Sequence, residues 1–111
     1  MVIAERVLEL HRGDETTPSG FAVARVGLPK PEQATGGRWA CSYEIRGLGE
    51  TFGDGVLGRD SGEALVICLA TVGNVLESRA RLLGRSIRLQ GDERLGFPPM
   101  PRRRSPIQAV K

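Results

Sequence analysis

Arg38-Trp39-Ala40-Cys41-Ser42-Tyr43-Glu44-Ile45-Arg46 is the stretch on which the fold turns. Trp39, Cys41, Tyr43 and Ile45 alternate with polar or small residues, so the period is two. A strand with that period buries one face and wets the other. Such a strand belongs to an antiparallel sheet that needs a cover on one side only.

The flanking sequence supplies partners and the cover. Gly47-Leu48-Gly49 reads as a turn, and 50–57 returns as a short strand bent by glycines. Upstream, Phe21–Leu28 reads as a strand that Pro29 and Pro31 end, because proline cannot donate to a ladder. The stretch from there to Gly37 reads as a polar loop. Val2–Leu10 reads as a further strand, with Val2, Ala4, Leu8 and Leu10 on one face and Arg6 interrupting it.

Asp60 followed by Glu63 has the spacing of a capping box, and a helix is predicted from Ser61 to about Leu83. Leu65, Leu69, Val72, Leu76, Ala80 and Leu83 recur at spacings of three and four, which is one helix face. Ala64, Cys68, Thr71 and Val75 widen it. Gly84 suits the position after the helix, and Ser86–Gln90 suits one more short strand. The expected fold is α+β: an antiparallel meander of about four strands packed against one long helix, followed by an extended basic tail. The expected core contains Trp39, Cys41, Tyr43, Ile45, Leu65, Cys68, Leu69, Val72 and Leu76, with a cost of about 2–5 kcal/mol for Leu69→Ala. The 111 residues divide into one domain over 1–97 and a Pro/Arg-rich flexible tail over 98–111.

Charge is unevenly distributed. Residues 1–78 carry seven basic and eleven acidic side chains, whereas 79–111 carry nine basic and two acidic. The C-terminal third therefore supplies the candidate contacts for an anion or nucleic acid: Arg79, Arg81, Arg85, Arg102, Arg103 and Arg104. The tail lacks interleaved aromatics for base stacking, so the binding expected from it is weak and salt-sensitive. Pro98 and Pro101 also spell a P-x-x-P segment.

Catalytic and cofactor signals each have a plainer reading. Gly53-Asp54-Gly55-Val56-Leu57-Gly58 matches the letters of a dinucleotide loop. However, Arg59 and Asp60 separate it from the helix and no second βαβ half follows, so a bent edge strand is preferred. Asp54, Asp60 and Glu63 could form an acid–base cluster, against which stands helix capping. His11 is the sole histidine and cannot build the usual zinc sites. Cys41 and Cys68 sit in apolar stretches and read as buried free thiols. No catalytic residue, metal site or cofactor is expected. The N-terminal residues carry charge where a signal peptide needs an apolar run, and Ala64 to Val72 is too short to span a bilayer, which points to the cytoplasm.

Residues 37–45 and 58–65, with Ala4-Glu5-Arg6-Val7-Leu8-Glu9-Leu10, resemble a family of small uncharacterised bacterial proteins. Its pattern is a W-x-C-x-aromatic-x-I strand followed by G-x-D-S-x-Q-A-L at a helix start. Glu63 stands at the glutamine position. The resemblance implies a strand at the N-terminus and a bacterial source, and it brings no catalytic residues. The expected function is a non-catalytic interaction module binding another protein, as an accessory or immunity-type partner. The alternative is a nucleic-acid-associated protein using the C-terminal third, and a small enzyme built on the acidic cluster is a third class. A homodimer is the candidate assembly, because a meander leaves edge strands that need protection or pairing.

Overall fold

The computed structural model describes residues 1–101. Its elements in chain order are β1 (Val2–His11), β2 (Gly20–Gly27), β3 (Lys30–Glu32), β4 (Arg38–Arg46), β5 (Phe52–Gly58), α1 (Ser61–Leu82) and β6 (Ser86–Arg88). All strand pairings are antiparallel. β4 is the central strand: β5 runs along one side, and β2 and β3 share the other. β1 lies beyond β2, and β6 closes the far edge against β1. The fold is thus α+β, one six-stranded antiparallel sheet with one helix laid across it.

Two of the six strands account for the difference from the four-strand expectation. β6 spans three residues, within the 86–90 stretch that suits one more short strand. β3 is a correction. Pro29 does end β2, but pairing resumes at once, with Pro31 opposite Trp39. A proline fits there because β3 has a neighbour on one side only, so its missing N–H leaves no ladder bond unmade. A short 3₁₀ turn at Gln33–Thr35 then leads into β4.

The buried face of the sheet follows the alternation in the sequence. Leu8 and Leu10 of β1, Ala22, Ala24 and Val26 of β2, and Cys41 and Ile45 of β4 are buried against Ala64, Cys68, Val72, Leu76 and Ala80 of α1. Trp39, Tyr43, Leu65 and Leu69, expected in the core, are only partly buried and pack at its margin. The helix leans on its small residues, so the buried stripe keeps Val72 and Leu76 but shifts away from Leu65 and Leu69. Leu83 falls outside it, 45% exposed.

The helix ends as its sequence requires. At its start the Glu63 N–H donates to Asp60 Oδ1 at 2.7 Å, and Glu63 Oε1 accepts from the Arg59 N–H at 2.9 Å. At its end Gly84 takes a positive φ of 69°, and the Arg85 N–H reaches back to the Ala80 carbonyl.

Arg6, which interrupts the apolar face of β1, is explained by the segment after β6. Its Nη1 donates to the Leu95 carbonyl, and its guanidinium lies 5.0 Å from the centre of the Phe97 ring. Residues 95–97 therefore cover the half of β1 that α1 does not reach. Leu95 is buried, and Phe97 seats over Gly73, where an added Cβ would stand 2.7 Å from the Phe97 Cβ.

Candidate functional site

Each sequence signal for chemistry has a structural occupation. β5 lies at the sheet edge and pairs antiparallel with β4, so the glycine pattern has no parallel strand beside it. Gly53 permits close approach to β4, since a Cβ there would stand 2.7 Å from the Tyr43 carbonyl oxygen. Gly58 permits close approach of the helix, as its Cβ would stand 2.3 Å from Ala64 N. At the helix start the Glu63 N–H is capped by the Asp60 carboxylate, which places negative charge where a phosphate would have to sit.

The acidic cluster is divided in the same way. Asp60 caps the helix, Glu63 also pairs with the Arg59 guanidinium at 2.7 Å, and Asp54 accepts from the Gly55 N–H. The side-chain and backbone hydrogen bonds from Arg59 hold the Glu63 carboxyl below the usual glutamate range. Asp60→Ala is accordingly expected to cost about 1 kcal/mol in chemical denaturation, the typical value of a lost cap. The folded-state lowering at Glu63 gives a stabilisation present above the ordinary glutamate pKa and lost as pH falls through the lowered value. An NMR titration should place the Glu63 midpoint below that of an unpaired glutamate, and Arg59→Ala should raise it.

His11 ends β1 and is almost fully buried. Its Nδ1 lies 2.8 Å from the Glu15 carbonyl oxygen, and its Nε2 lies 2.9 Å from Glu9 Oε1. Ser86 stands opposite His11 in the β1–β6 ladder, so a serine, a histidine and a glutamate meet at one sheet edge. The hydrogen bonds are not those of a nucleophile: both ring nitrogens are already engaged, and Ser86 Oγ is buried with no protein partner. The cluster instead pins the 12–19 loop to the sheet.

Cys41 on β4 and Cys68 on α1 meet in the core, which their separation along the chain concealed. Cys41 Sγ donates to the Gly27 carbonyl and Cys68 Sγ to the Ser42 carbonyl. Both are free thiols and both are fully buried. Burial pushes Cys41 up, partly offset by the contact with Cys68. Burial and then Cys41 push Cys68 up to about 12. Little thiolate exists in the folded protein, so an aromatic disulfide reagent at neutral pH should label neither thiol. Both should react once denaturant is added, and rapid labelling of the folded chain would contradict the buried pair.

Among the described residues, no three histidine, cysteine, aspartate or glutamate side chains gather where a metal ion would sit. No described helix is long and apolar enough to cross a membrane. Of the basic residues read from the sequence, Arg79, Arg81 and Arg85 lie among the described residues. Arg79 stacks on the Phe52 ring, 4.8 Å from its centre, while Arg85 Nη1 donates to the Leu83 carbonyl and Arg81 is exposed. Arg102, Arg103 and Arg104, with the rest of the proposed tail beyond Pro101, lie outside the described residues.

The feature that sequence reasoning missed is the apolar cluster and charge row that the strand order assembles on the uncovered face of the sheet. Register places Val7 opposite Val23, with Phe21 one step along β2 opposite Glu9. Phe21 is 57% and Val7 51% exposed, large values for apolar side chains in mid-sheet. On one side of this apolar centre runs a row of charges across three strands. Glu5 stands opposite Arg25, and Arg25 opposite Glu44. Arg25 Nε binds Glu5 Oε2 at 2.6 Å, and Arg46 Nε lies 2.8 Å from Glu44 Oε1. On the other side stand Glu9 and, opposite it on β6, Arg88. Gly27, Ser42, Arg25, Glu44 and Arg46 border a shallow hollow of about 340 Å³ beside the row. Only the odd–even alternation of each strand was legible; the row exists because of which strands are neighbours.

Comparison with the curated proteins and with the solved structures gave no match. The family comparison did: a model described as a domain of unknown function, DUF6968, matches residues 4–99, from early in β1 through the segment that covers Arg6, and the chain belongs to that family.

Proposed function

We propose that this chain is a non-catalytic bacterial interaction module that docks a partner protein on the uncovered face of its sheet. The carrying observation is the cluster of Val7, Val23 and exposed Phe21, bordered on both sides by charged residues of both signs. Protein interfaces have this anatomy: a small apolar centre with an aromatic anchor, and a polar rim that fixes register. The partner that fits presents an apolar centre of its own with charges of both signs around it, so that its acids meet Arg25 and Arg46 and its bases meet Glu5 and Glu44. Accessory and immunity-type proteins act through such surfaces, and that step is an analogy of fold. The free, buried thiols suit a reducing compartment, which supports a place in the cytoplasm.

Affinity capture from the source cells tests the reading through three variants. Phe21→Glu and Arg25→Glu should lose the same protein, and Leu82→Glu, on an exposed helix position, should keep it. Phe21→Ala should weaken that complex by about 2 kcal/mol or more, as an interface anchor does. A partner kept by Phe21→Glu and lost by Leu82→Glu would place docking on the helix instead. Self-association abolished by Phe21→Glu would identify the partner as a second copy.

A further inference from the structure

Beneath the first two strands, where α1 turns away, the sheet face is floored by Ala4, Ala24 and Val26. Leu69 forms one wall and Gly96-Phe97-Pro98 the other, and a cavity of about 140 Å³ remains between them. The alanines are too short to fill it. The Phe97 wall is held in place by its seat over Gly73. An apolar cavity of about 150 Å³ is large enough to take benzene.

Arg6 stands at the rim of this cavity. Its hydrogen bond to the Leu95 carbonyl uses one of the five N–H donors of a guanidinium. Among the described residues no carboxylate lies within ion-pair distance of it. Glu5 also borders the cavity, but its carboxylate lies on the other face of the sheet, paired with Arg25. A half-buried cation with spare donors and no counter-charge sits beside an apolar space of ring size. A carboxylate is the group that satisfies a guanidinium best, through two parallel hydrogen bonds.

We propose that this cavity binds a small carboxylic acid with a compact apolar body, an aromatic ring or a branched chain of about six carbons. The body fills the space between Ala24, Val26, Leu69 and Phe97, and the carboxylate takes the spare donors of Arg6. This site lies on the opposite side of the sheet from the docking face and stands or falls independently of it.

Benzoate is the probe, with benzyl alcohol and benzylamine as neutral and cationic counterparts of the same size. Each is titrated into the full chain while the amide resonances of Ala4, Leu69 and Phe97 are followed. Benzoate should saturate with a Kd of about 1 mM or below, at least about tenfold tighter than benzyl alcohol, and benzylamine should be weakest. Arg6→Gln should reduce benzoate to the level of the alcohol, and Ala4→Leu should weaken benzoate and the alcohol alike by filling the space. Arg6→Lys guards against a folding defect: it keeps the charge and should retain part of the preference for the acid. No saturable shift with benzoate up to about 10 mM would overturn the proposal, as would equal binding of all three probes.

Discussion

Gly58→Ala is expected to destabilise the fold by about 3 kcal/mol or more, because its Cβ has nowhere to go. It would stand 2.3 Å from Ala64 N, 2.7 Å from Ala64 Cα and 2.9 Å from the Glu63 carbonyl carbon. All three are backbone atoms of the first helical turn, so relief requires α1 to lift off β5. Gly55→Ala is the control from the same glycine run. Its Cβ would meet nothing nearer than the Cys41 carbonyl oxygen at 3.7 Å, and its backbone is not left-handed. Chemical denaturation should therefore separate the two glycines sharply. If the run were a nucleotide loop, both would instead be expected to matter for binding. A Gly58→Ala protein within about 0.5 kcal/mol of the parent would remove the packing explanation.

Leu76→Ala is expected to cost about 2–5 kcal/mol, the range for a leucine truncated in a close-packed core. Leu76 is fully buried, on the helix face that meets the sheet. Leu69, one of the leucines that periodicity placed in the core, is partly buried and borders a cavity. Its truncation removes less buried surface and should cost about 1 kcal/mol. This order replaces the larger cost that the leucine spacing alone suggested for Leu69. Denaturation curves in which Leu69→Ala is the more damaging would mean that the helix is rotated from the orientation described.

Those two substitutions also mark how far the sequence carries. The strand at Arg38–Arg46 was legible to the residue, because nine residues of strict alternation have one reading. The helix was legible from its cap to its terminal glycine, because Asp60, Glu63 and Gly84 each perform a local job that does not depend on tertiary contacts. β3 was not, since two prolines argue against a strand unless its edge position is known. Helix rotation was legible only approximately: Leu76 sits in the buried stripe but Leu65 and Leu69 lie at its border, and Ala64, Cys68, Ala80 and Gly73 let the backbone approach the sheet and its cover.

The candidate site was harder to see than the fold, for a physical reason. Glu5, Arg25 and Glu44 come from three strands, and nothing local to any of them announces the other two. The same holds for Cys41 with Cys68 and for Arg6 with Phe97. Arg6 nevertheless left a trace, as the residue that broke an apolar alternation. That kind of local conflict is where a long-range contact is to be sought.

We propose that the uncovered sheet face, and not the helix, meets the partner. Photo-crosslinking in the source cells tests it most directly, with a benzophenone amino acid placed at Phe21 in one chain and at Leu82 in another. Both positions are exposed, so both probes tolerate the fold. A discrete protein adduct is expected from position 21, disappearing when Arg25→Glu is added, and none from position 82. A discrete adduct from position 82 with none from position 21 would contradict it.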